Sequence, residues 1–222
     1  MRKVAIVLKF TMFSIVVFVS RIAWADLIIA PDSVTASSEF TAGFDGAAIN
    51  TINGSGLPGA FTLSSSHAAY ASGNHWTTTG GNPVGEFIVW SFASPKLLSA
   101  MHVWNHQSSP NADNPGYDVT QFDLTLLDSS SNVLLALNNV ALAPDTSIAQ
   151  TFNFGVNVAN VSSVRFVIDS TQSSPSFTGL GEVRFTAVPE PSSMGLCAIV
   201  ACIGLMTRRR LRYSCKMNIA NQ

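Results

Sequence analysis

Cysteine is absent from the long middle part of this sequence. The three cysteines, Cys197, Cys202 and Cys215, all lie near the C-terminus, and residues 26–187 contain none. No disulfide bond can therefore stabilise the middle part, whose stability must come from packing. Cys197 and Cys202 are five residues apart, which is not the spacing of a zinc or redox pair, so we interpret them as small apolar residues of a membrane segment.

Basic residues are almost as scarce in the same region. Residues 26–187 contain twelve acidic residues but only Lys96, Arg165 and Arg184, which gives this part a formal net charge of −9, whereas the whole chain has −1. Nucleic-acid binding needs clustered Lys and Arg side chains that neutralise phosphates, so this composition argues against a nucleic-acid partner.

Residues 1–25 have the pattern of a secretory signal peptide. Basic residues precede the apolar run Phe10–Val19, and an Ala-Trp-Ala sequence ends the segment. This pattern predicts export and cleavage before Asp26. The alternative, an N-terminal membrane anchor, is disfavoured because Arg21 closely follows the apolar run. The part that remains up to residue 187 is long enough to bury one core, so we expect one domain.

The C-terminal segment 188–222 contains three elements in order. A Val-Pro-Glu-Pro-Ser motif at 188–192 precedes an apolar segment, residues 193–207, and a basic end, residues 208–222. A helix over the apolar core of this segment would span about 20 Å against a hydrocarbon layer of roughly 30 Å, which is marginal for a permanent anchor. The positive-inside rule predicts that three arginines stay on the cytoplasmic side as a membrane stop: Arg208, Arg209 and Arg210.

This order of elements resembles the PEP-CTERM sorting signal of Gram-negative bacteria, with its motif at Pro189, Glu190 and Pro191. The resemblance implies recognition by an exosortase-type membrane transpeptidase, a transient stay in the inner membrane, and removal of the tail. The domain would then be released or attached at the cell surface or in the extracellular matrix. The two prolines suit a processing site because they keep the motif extended. The alternative is a proline-containing linker followed by an ordinary tail anchor.

Alternation of apolar and polar residues dominates residues 26–187. The pattern is clearest in Gln121–Leu126, Val164–Asp169 and Val183–Phe185. It predicts strands with one buried face. About eight such short segments, separated by turn-rich pieces, predict an all-β domain built as an antiparallel jelly-roll β-sandwich.

Six features of this part, in their order along the chain, resemble the discoidin-like or galactose-binding-like domain, also called coagulation-factor C-type. They are Val34–Ser38, Phe44–Gly46, Trp76, Phe87–Phe92, Met101–Asn105 and Gly179–Phe185. The resemblance implies a single jelly roll whose long loops carry a binding site. The chain departs from many members of that family in lacking the cysteine pair that joins the first and last strands.

Carbohydrate binding needs an aromatic face beside a few polar groups, because sugars present apolar C–H patches surrounded by hydroxyls. Trp76, with its neighbours Asn74 and His75, is the first candidate, and Asn105 with His106 is the second. The tryptophans of the two apolar strands that follow Trp76 are expected in the core.

A calcium ion is a second candidate ligand. Asp45 begins an Asp-Gly turn, and Asn50 adds a further oxygen, which is the ligand type that Ca²⁺ prefers. In calcium-binding members of the resembled family, the Asp of this loop and a Glu of the last strand approach one ion, here Asp45 and Glu182. The alternative is that Asp45 only forms a turn and that Glu182 pairs with Arg184 or Arg165.

Catalytic motifs of common enzyme classes are missing: the sequence has no G-x-S-x-G, no H-E-x-x-H and no glycine-rich phosphate loop. Asp113, Asp118 and Asp123 could form an acid–base pair, but solvated edge charge explains them better. We therefore predict a non-enzymatic, exported carbohydrate-binding or adhesive protein. The alternatives are a purely structural matrix protein without a ligand pocket and a glycan-acting hydrolase.

Overall fold

The computed structural model describes residues 26–106, 117–172 and 176–189. The chain divides into two units after Val188, and every feature described below belongs to the first. The predicted signal peptide, Asp113, and the tail from Glu190 onwards, with Pro191 and the three membrane-stop arginines, lie outside the described residues. Across the described ranges, no helix has the length and apolar character needed to cross a membrane.

The described residues form eight β-strands and one short 3-10 turn, Ala48–Thr51. The strands are β1 (Leu27–Ile29), β2 (Ser33–Ala36), β3 (Trp76–Thr77), β4 (Phe87–Asn105), β5 (Val119–Leu127), β6 (Val133–Ala141), β7 (Gln150–Thr171) and β8 (Gly179–Ala187). Every pair of neighbouring strands is antiparallel. The predicted all-β antiparallel architecture is thus confirmed.

Two long strands take part in both layers of the sandwich. The hydrogen-bonded order is β1-β8-β4-β7-β5-β6, with β2 added to β4 and β3 added to β8. The first part of β4 pairs with β2 and with the end of β7, whereas its last part pairs with β8 and with the start of β7. Register shifts between Ser91 and Ala100 mark the change of layer. Such irregularities bend a strand without ending it.

Aromatic side chains fill the space between the two layers. Trp90, Phe122 and Phe166 come from one layer, and Phe152 and Phe185 come from the other. Trp90 meets Phe185 at 6.1 Å between ring centroids, and Phe122 lies 5.1 Å from Phe152 and 4.3 Å from Phe166. Full burial of one such side chain contributes roughly 1.5–3 kcal/mol. This core stabilises residues 26–187, which have no disulfide bond.

A loop segment, residues 48–75, covers the outer faces of β4 and β8. Trp104 on β4 lies outside the sandwich core and is buried beneath this segment. Its indole N–H donates to the Ser65 carbonyl at 2.9 Å, and the edge of the Phe61 ring meets it at 6.0 Å. Trp104 is thus buried in the core, as expected, but beneath the loop segment rather than within the main cluster of core side chains.

Strand β6 lies at one end of the strand order and carries no charged residue. Val133 and Leu134 on it are 63% and 37% exposed. Its pairing with β5 shifts register at Asp123, and Asn139 there has a φ of +55°. The Asn139 N–H donates to the Asp123 carboxylate at 2.8 Å, which holds this bulge in place.

Candidate functional site

Three strand ends meet at one end of the sandwich. Leu180 on β8 pairs with Trp76 of β3 on one side and with Asn105 of β4 on the other. The residues next to these two partners are His75 and His106, and the pairing brings their rings to within 5.0 Å of each other. The sequence-predicted groups 74–76 and 105–106 therefore come together, although about thirty residues separate them along the chain.

Six aromatic side chains form a closed ring of contacts at this end, which we call the aromatic cluster. Each member contacts the next, with centroid separations between 4.4 and 6.3 Å. Five of the six residues are half-buried, and the sixth, His106, is buried. The members, in order around the ring, are Phe40, Phe44, Tyr70, His106, Tyr117 and Phe177.

Three histidines lie side by side beneath this surface. His75 lies 4.5 Å from His67 and 5.0 Å from His106, and all three are at most 3% exposed. Within the described part of the chain, the Nε2 atom of His67 and both ring nitrogens of His106 are buried without a hydrogen-bond partner. Even so, no group of three or more His, Cys, Asp or Glu side chains among the described residues is arranged so that it could hold a metal ion.

Burial keeps these imidazoles neutral. It lowers the pKa of His67 and of His75 and lowers the pKa of His106 to about 3, and the neighbouring His67 adds to that lowering. Desolvation penalises the charged form of a histidine, and a second histidine nearby penalises it further. At neutral pH the floor of the aromatic cluster therefore carries no positive charge.

Glycines allow the His67 ring to reach this position. A Cβ atom at Gly56 would overlap the ring, and one at Gly181 would lie 3.1 Å from three of its atoms. The chain therefore needs a residue without a side chain at Gly56, where the loop segment passes over β8.

The predicted ligand-binding residues are brought together but are buried. Trp76 is fully buried on β3, and its indole N–H donates to the Ser38 carbonyl at 2.9 Å, so it offers no exposed ring. The Asn105 side chain bonds both the N–H and the carbonyl of Val119, at 3.2 and 2.8 Å. Asn74 is occupied in the same way by its own loop. These amides position the site rather than present groups to solvent.

The sequence did not predict a binding role for the half-buried aromatic residues of the cluster. Phe44, Tyr70 and Tyr117 each stand in a segment rich in Gly, Ala, Asn or Pro, with no alternating pattern around them. An isolated aromatic residue in such a loop is the signal that would have identified them, because no strand face exists to bury it.

The predicted calcium ligands fall into two groups. Asp45 is exposed, and its Oδ1 atom accepts from the Ala47 N–H at 3.3 Å and from the Asn50 amide at 3.5 Å. Glu182 is fully buried and accepts from the Gly54 N–H at 2.9 Å.

Arg184 forms an ion pair with Glu182. Burial raises the pKa of Glu182, and the charge of Arg184 opposes that rise. The guanidinium also donates to the Ile52 carbonyl at 3.0 Å. The positive partner of Glu182 is therefore an arginine, so the donor set does not fit a calcium ion shared between Asp45 and Glu182.

Asp118 is a further buried carboxyl at this end. It is completely buried beside Tyr117, and burial raises its pKa to about 7, with a smaller contribution from the charge of Asp145 and an opposing one from the Asp145 N–H. Asp123 lies on a different part of β5, where it contacts Asn139. The two aspartates therefore occupy separate environments.

Comparison with known proteins gives a fold but no family. No model of a known protein family matches the sequence, and no curated protein matches it significantly. Among solved structures, a family 32 carbohydrate-binding module of Clostridium perfringens NanJ, in complex with galactose, matches at a TM-score of 0.50 and 13% identity. That match covers 72% of this chain and 99% of the module.

Two further solved structures show the same likeness. A fucose-binding module of Streptococcus pneumoniae matches at a TM-score of 0.50 and 15% identity, over 73% of this chain and 96% of the module. A truncated AlyQ with CBM32 and alginate lyase domains matches at a TM-score of 0.49 and 18% identity, over 75% of this chain, which spans 34% of that protein. The two matches at a TM-score of 0.50 confirm the predicted discoidin-like fold, which is the fold of the matched family 32 module.

The neutral state of His106 predicts a pH-dependent stability. The folded chain keeps this imidazole uncharged down to about pH 3, whereas the unfolded chain protonates it below its usual pKa near 6.5. Stability is therefore lost as pH falls below 6.5, by up to about 1.4 kcal/mol per pH unit. His106→Leu should remove this loss. The free energy of unfolding of the variant relative to that of the wild type, measured in urea, should therefore be about 2 kcal/mol more favourable at pH 5 than at pH 7. Leu126→Ala, a control in the core on β5 that replaces no titrating group, should change stability equally at both pH values. An equal change for His106→Leu would contradict the prediction.

The Glu182–Arg184 pair predicts stability without calcium. We expect the melting temperature of the purified protein to be the same in excess calcium and in chelator. Arg184→Met should lower the free energy of unfolding by about 3–5 kcal/mol, because it leaves a buried carboxylate without its partner. The double variant Glu182→Gln with Arg184→Met should recover part of that loss in the same urea titration. A melting temperature that rises with calcium would restore the Asp45–Glu182 ion site.

Proposed function

We propose that this chain is an exported, non-enzymatic carbohydrate-binding protein whose aromatic cluster is the glycan site. The observation that carries the proposal is the set of half-exposed rings gathered at the loop end of the sandwich, with Tyr70 and Tyr117 on either side of His106. Sugar rings stack on such surfaces through their C–H faces. The fold supports the proposal, since the matched modules from NanJ and from Streptococcus pneumoniae are described as binding galactose and fucose.

Phenylalanine and tyrosine rings, rather than a tryptophan, would form the surface on which a sugar stacks. Phe44 stacks on Tyr70 at 4.8 Å with 28° between the ring planes, so the two form one continuous surface. Tyr70 is also held by Thr77, whose hydroxyl lies 3.4 Å from the phenol oxygen. A surface held in place before binding loses little conformational entropy when a sugar binds.

One observation favours a second candidate, a structural matrix protein without a ligand pocket. All five residues that the sequence predicted for binding are at most 8% exposed, and both asparagine side chains are hydrogen-bonded within the protein. Under this alternative, the same residues only stabilise the loop end of the domain.

Glycan binding by the aromatic cluster is testable with truncated rings. On a glycan array followed by titration of the best binder, Tyr70→Ala and Tyr117→Ala should each weaken binding about tenfold, because a lost stacking contact contributes on the order of 1.4 kcal/mol. The control is Phe87→Ala, since that ring lies under Arg165 and is not one of the six rings of the aromatic cluster. Wild-type protein that binds no glycan, or a control that weakens binding as much as the cluster variants, would favour the structural alternative.

We also propose that the domain reaches the cell surface or the extracellular matrix through its sorting tail. The support is the sequence order of the Pro189–Pro191 motif, apolar segment and arginines, together with the signal-peptide pattern at the other end. An exosortase-type transpeptidase would be the processing partner, and the tail would hold the protein in the inner membrane only until cleavage.

Processing predicts two new chain ends. Intact mass spectrometry of the protein recovered from the surface or medium should give a first residue of Asp26 and a last residue between Pro189 and Ser192. Replacement of Pro189 and Pro191 by alanine should leave the N-terminal cleavage unchanged and retain the full C-terminal mass in the membrane fraction. Recovery of the uncleaved wild-type chain from the cytosol would contradict both parts.

A further inference from the structure

Every positive charge of the domain can be located. Residues 26–187 contain three basic side chains and all four histidines of the chain. The basic side chains are Lys96, Arg165 and Arg184, and the structure describes each of them.

Two of the basic residues lie far from the aromatic cluster. Lys96 stands nine residues before Asn105 on β4, a strand distance of up to about 30 Å, and its ammonium donates to the Ser94 hydroxyl. Arg165 pairs with Thr125 on β5, six residues from the Val119–Thr171 pair at the loop end, or about 20 Å. Its guanidinium lies 4.4 Å from the centre of the Phe87 ring.

The third basic residue is closer but is neutralised. Arg184 forms its ion pair with Glu182, donates to two backbone carbonyls and has a side chain that is 8% exposed. The buried histidines add no charge at neutral pH, because desolvation lowers the pKa of each one. No cation in residues 26–187 is therefore presented to a ligand on the cluster.

Carboxylates, in contrast, lie next to the cluster. Asp45 directly follows Phe44 and is exposed, whereas Asp118, which directly follows Tyr117, is completely buried and has a pKa raised to about 7 by that burial. The sequence between His106 and Tyr117 contains no Lys or Arg. A carboxylate or sulfate on a bound sugar would thus meet the like charge of Asp45 and no positive partner.

From this distribution we infer that the aromatic cluster binds uncharged glycans and discriminates against uronic-acid and sulfated ones. The inference rests on the proposed glycan-binding function and specifies the ligand class of the same site. The specificity arises from repulsion and from the lack of a counter-charge, which is how a site rejects a ligand that has the right shape.

Sugars that differ only in charge test the inference. Isothermal titration of the purified protein at pH 7.5 would compare galactose, glucose and mannose with their uronic acids and with the uncharged methyl esters of those acids. We expect at least one neutral sugar to bind, its uronic acid to bind at least tenfold more weakly, and the methyl ester to recover most of the difference. Added salt should narrow the difference while leaving neutral-sugar binding unchanged, because salt screens the repulsion.

The outcomes separate this inference from the proposed function. Uronic acids that bind as well as the neutral sugars would overturn the inference and leave glycan binding intact. If no sugar of either kind binds, the proposed function fails and the inference fails with it. A difference that the methyl ester does not reduce would also overturn the inference, because size rather than charge would then explain it.

A single added charge gives a gain-of-function test. Ala42 is exposed and stands two residues before Phe44. Ala42→Lys should strengthen uronic-acid binding severalfold, whereas Ala42→Gln, which adds a side chain of similar reach without charge, should not. Equal effects of the two substitutions would contradict an electrostatic origin.

Discussion

The buried ion pair between Glu182 and Arg184 fixes the loop segment 48–75 on the sheet. Glu182 holds the Gly54 N–H, and Arg184 holds the Ile52 carbonyl, so one pair of side chains on β8 attaches both sides of the same turn. The same loop segment later supplies Tyr70 and His75. Ionic groups removed from water are favourable only when such additional hydrogen bonds accompany them. The position of the candidate site therefore depends on this pair.

For the histidines beneath the aromatic cluster, the cost of unpaired ring nitrogens is set against the gain from ring contacts. A buried ring nitrogen without a hydrogen-bond partner raises the free energy of the folded state by about 1–3 kcal/mol. Most proteins remove such groups, and those that persist tend to mark functional sites. Here the ring contacts of His106 with Tyr70 and Tyr117 offset part of that penalty, and they give the half-exposed tyrosines a rigid support.

Much of the fold follows from the sequence, because strands with one buried face leave an alternating pattern. Gln121–Leu126 and Val164–Asp169 lie within β5 and β7, as predicted. The pattern failed where a strand changes layer: Phe87–Phe92 and Met101–Asn105, which are separate features in the sequence, belong to one strand, β4, because the register shifts around Pro95 bend the backbone and do not break the pairing. The local residue pattern cannot predict this pairing, because the partner strands are distant in the sequence.

The candidate site was predicted only in part. The sequence located its position, since His75 and His106 do meet, but not which side chains face solvent. Whether Trp76 is exposed is decided by Ser38 and by the partner strand β8, both distant in sequence. The pairing of Glu182 with Arg184 was one of two alternatives before the structure distinguished them, because two arginines lay at plausible positions.

The bulge at Asn139 has a consequence for how copies of this protein coexist. An uncharged outer strand with exposed valine and leucine is a template on which another chain could add a strand, and the risk grows where many molecules are concentrated in one place. The left-handed residue interrupts the straight row of backbone donors and acceptors, and its hydrogen bond to Asp123 keeps a negative charge beside the gap. A bulge and a nearby charge on an outer strand both disfavour the addition of a strand from a crowded neighbour.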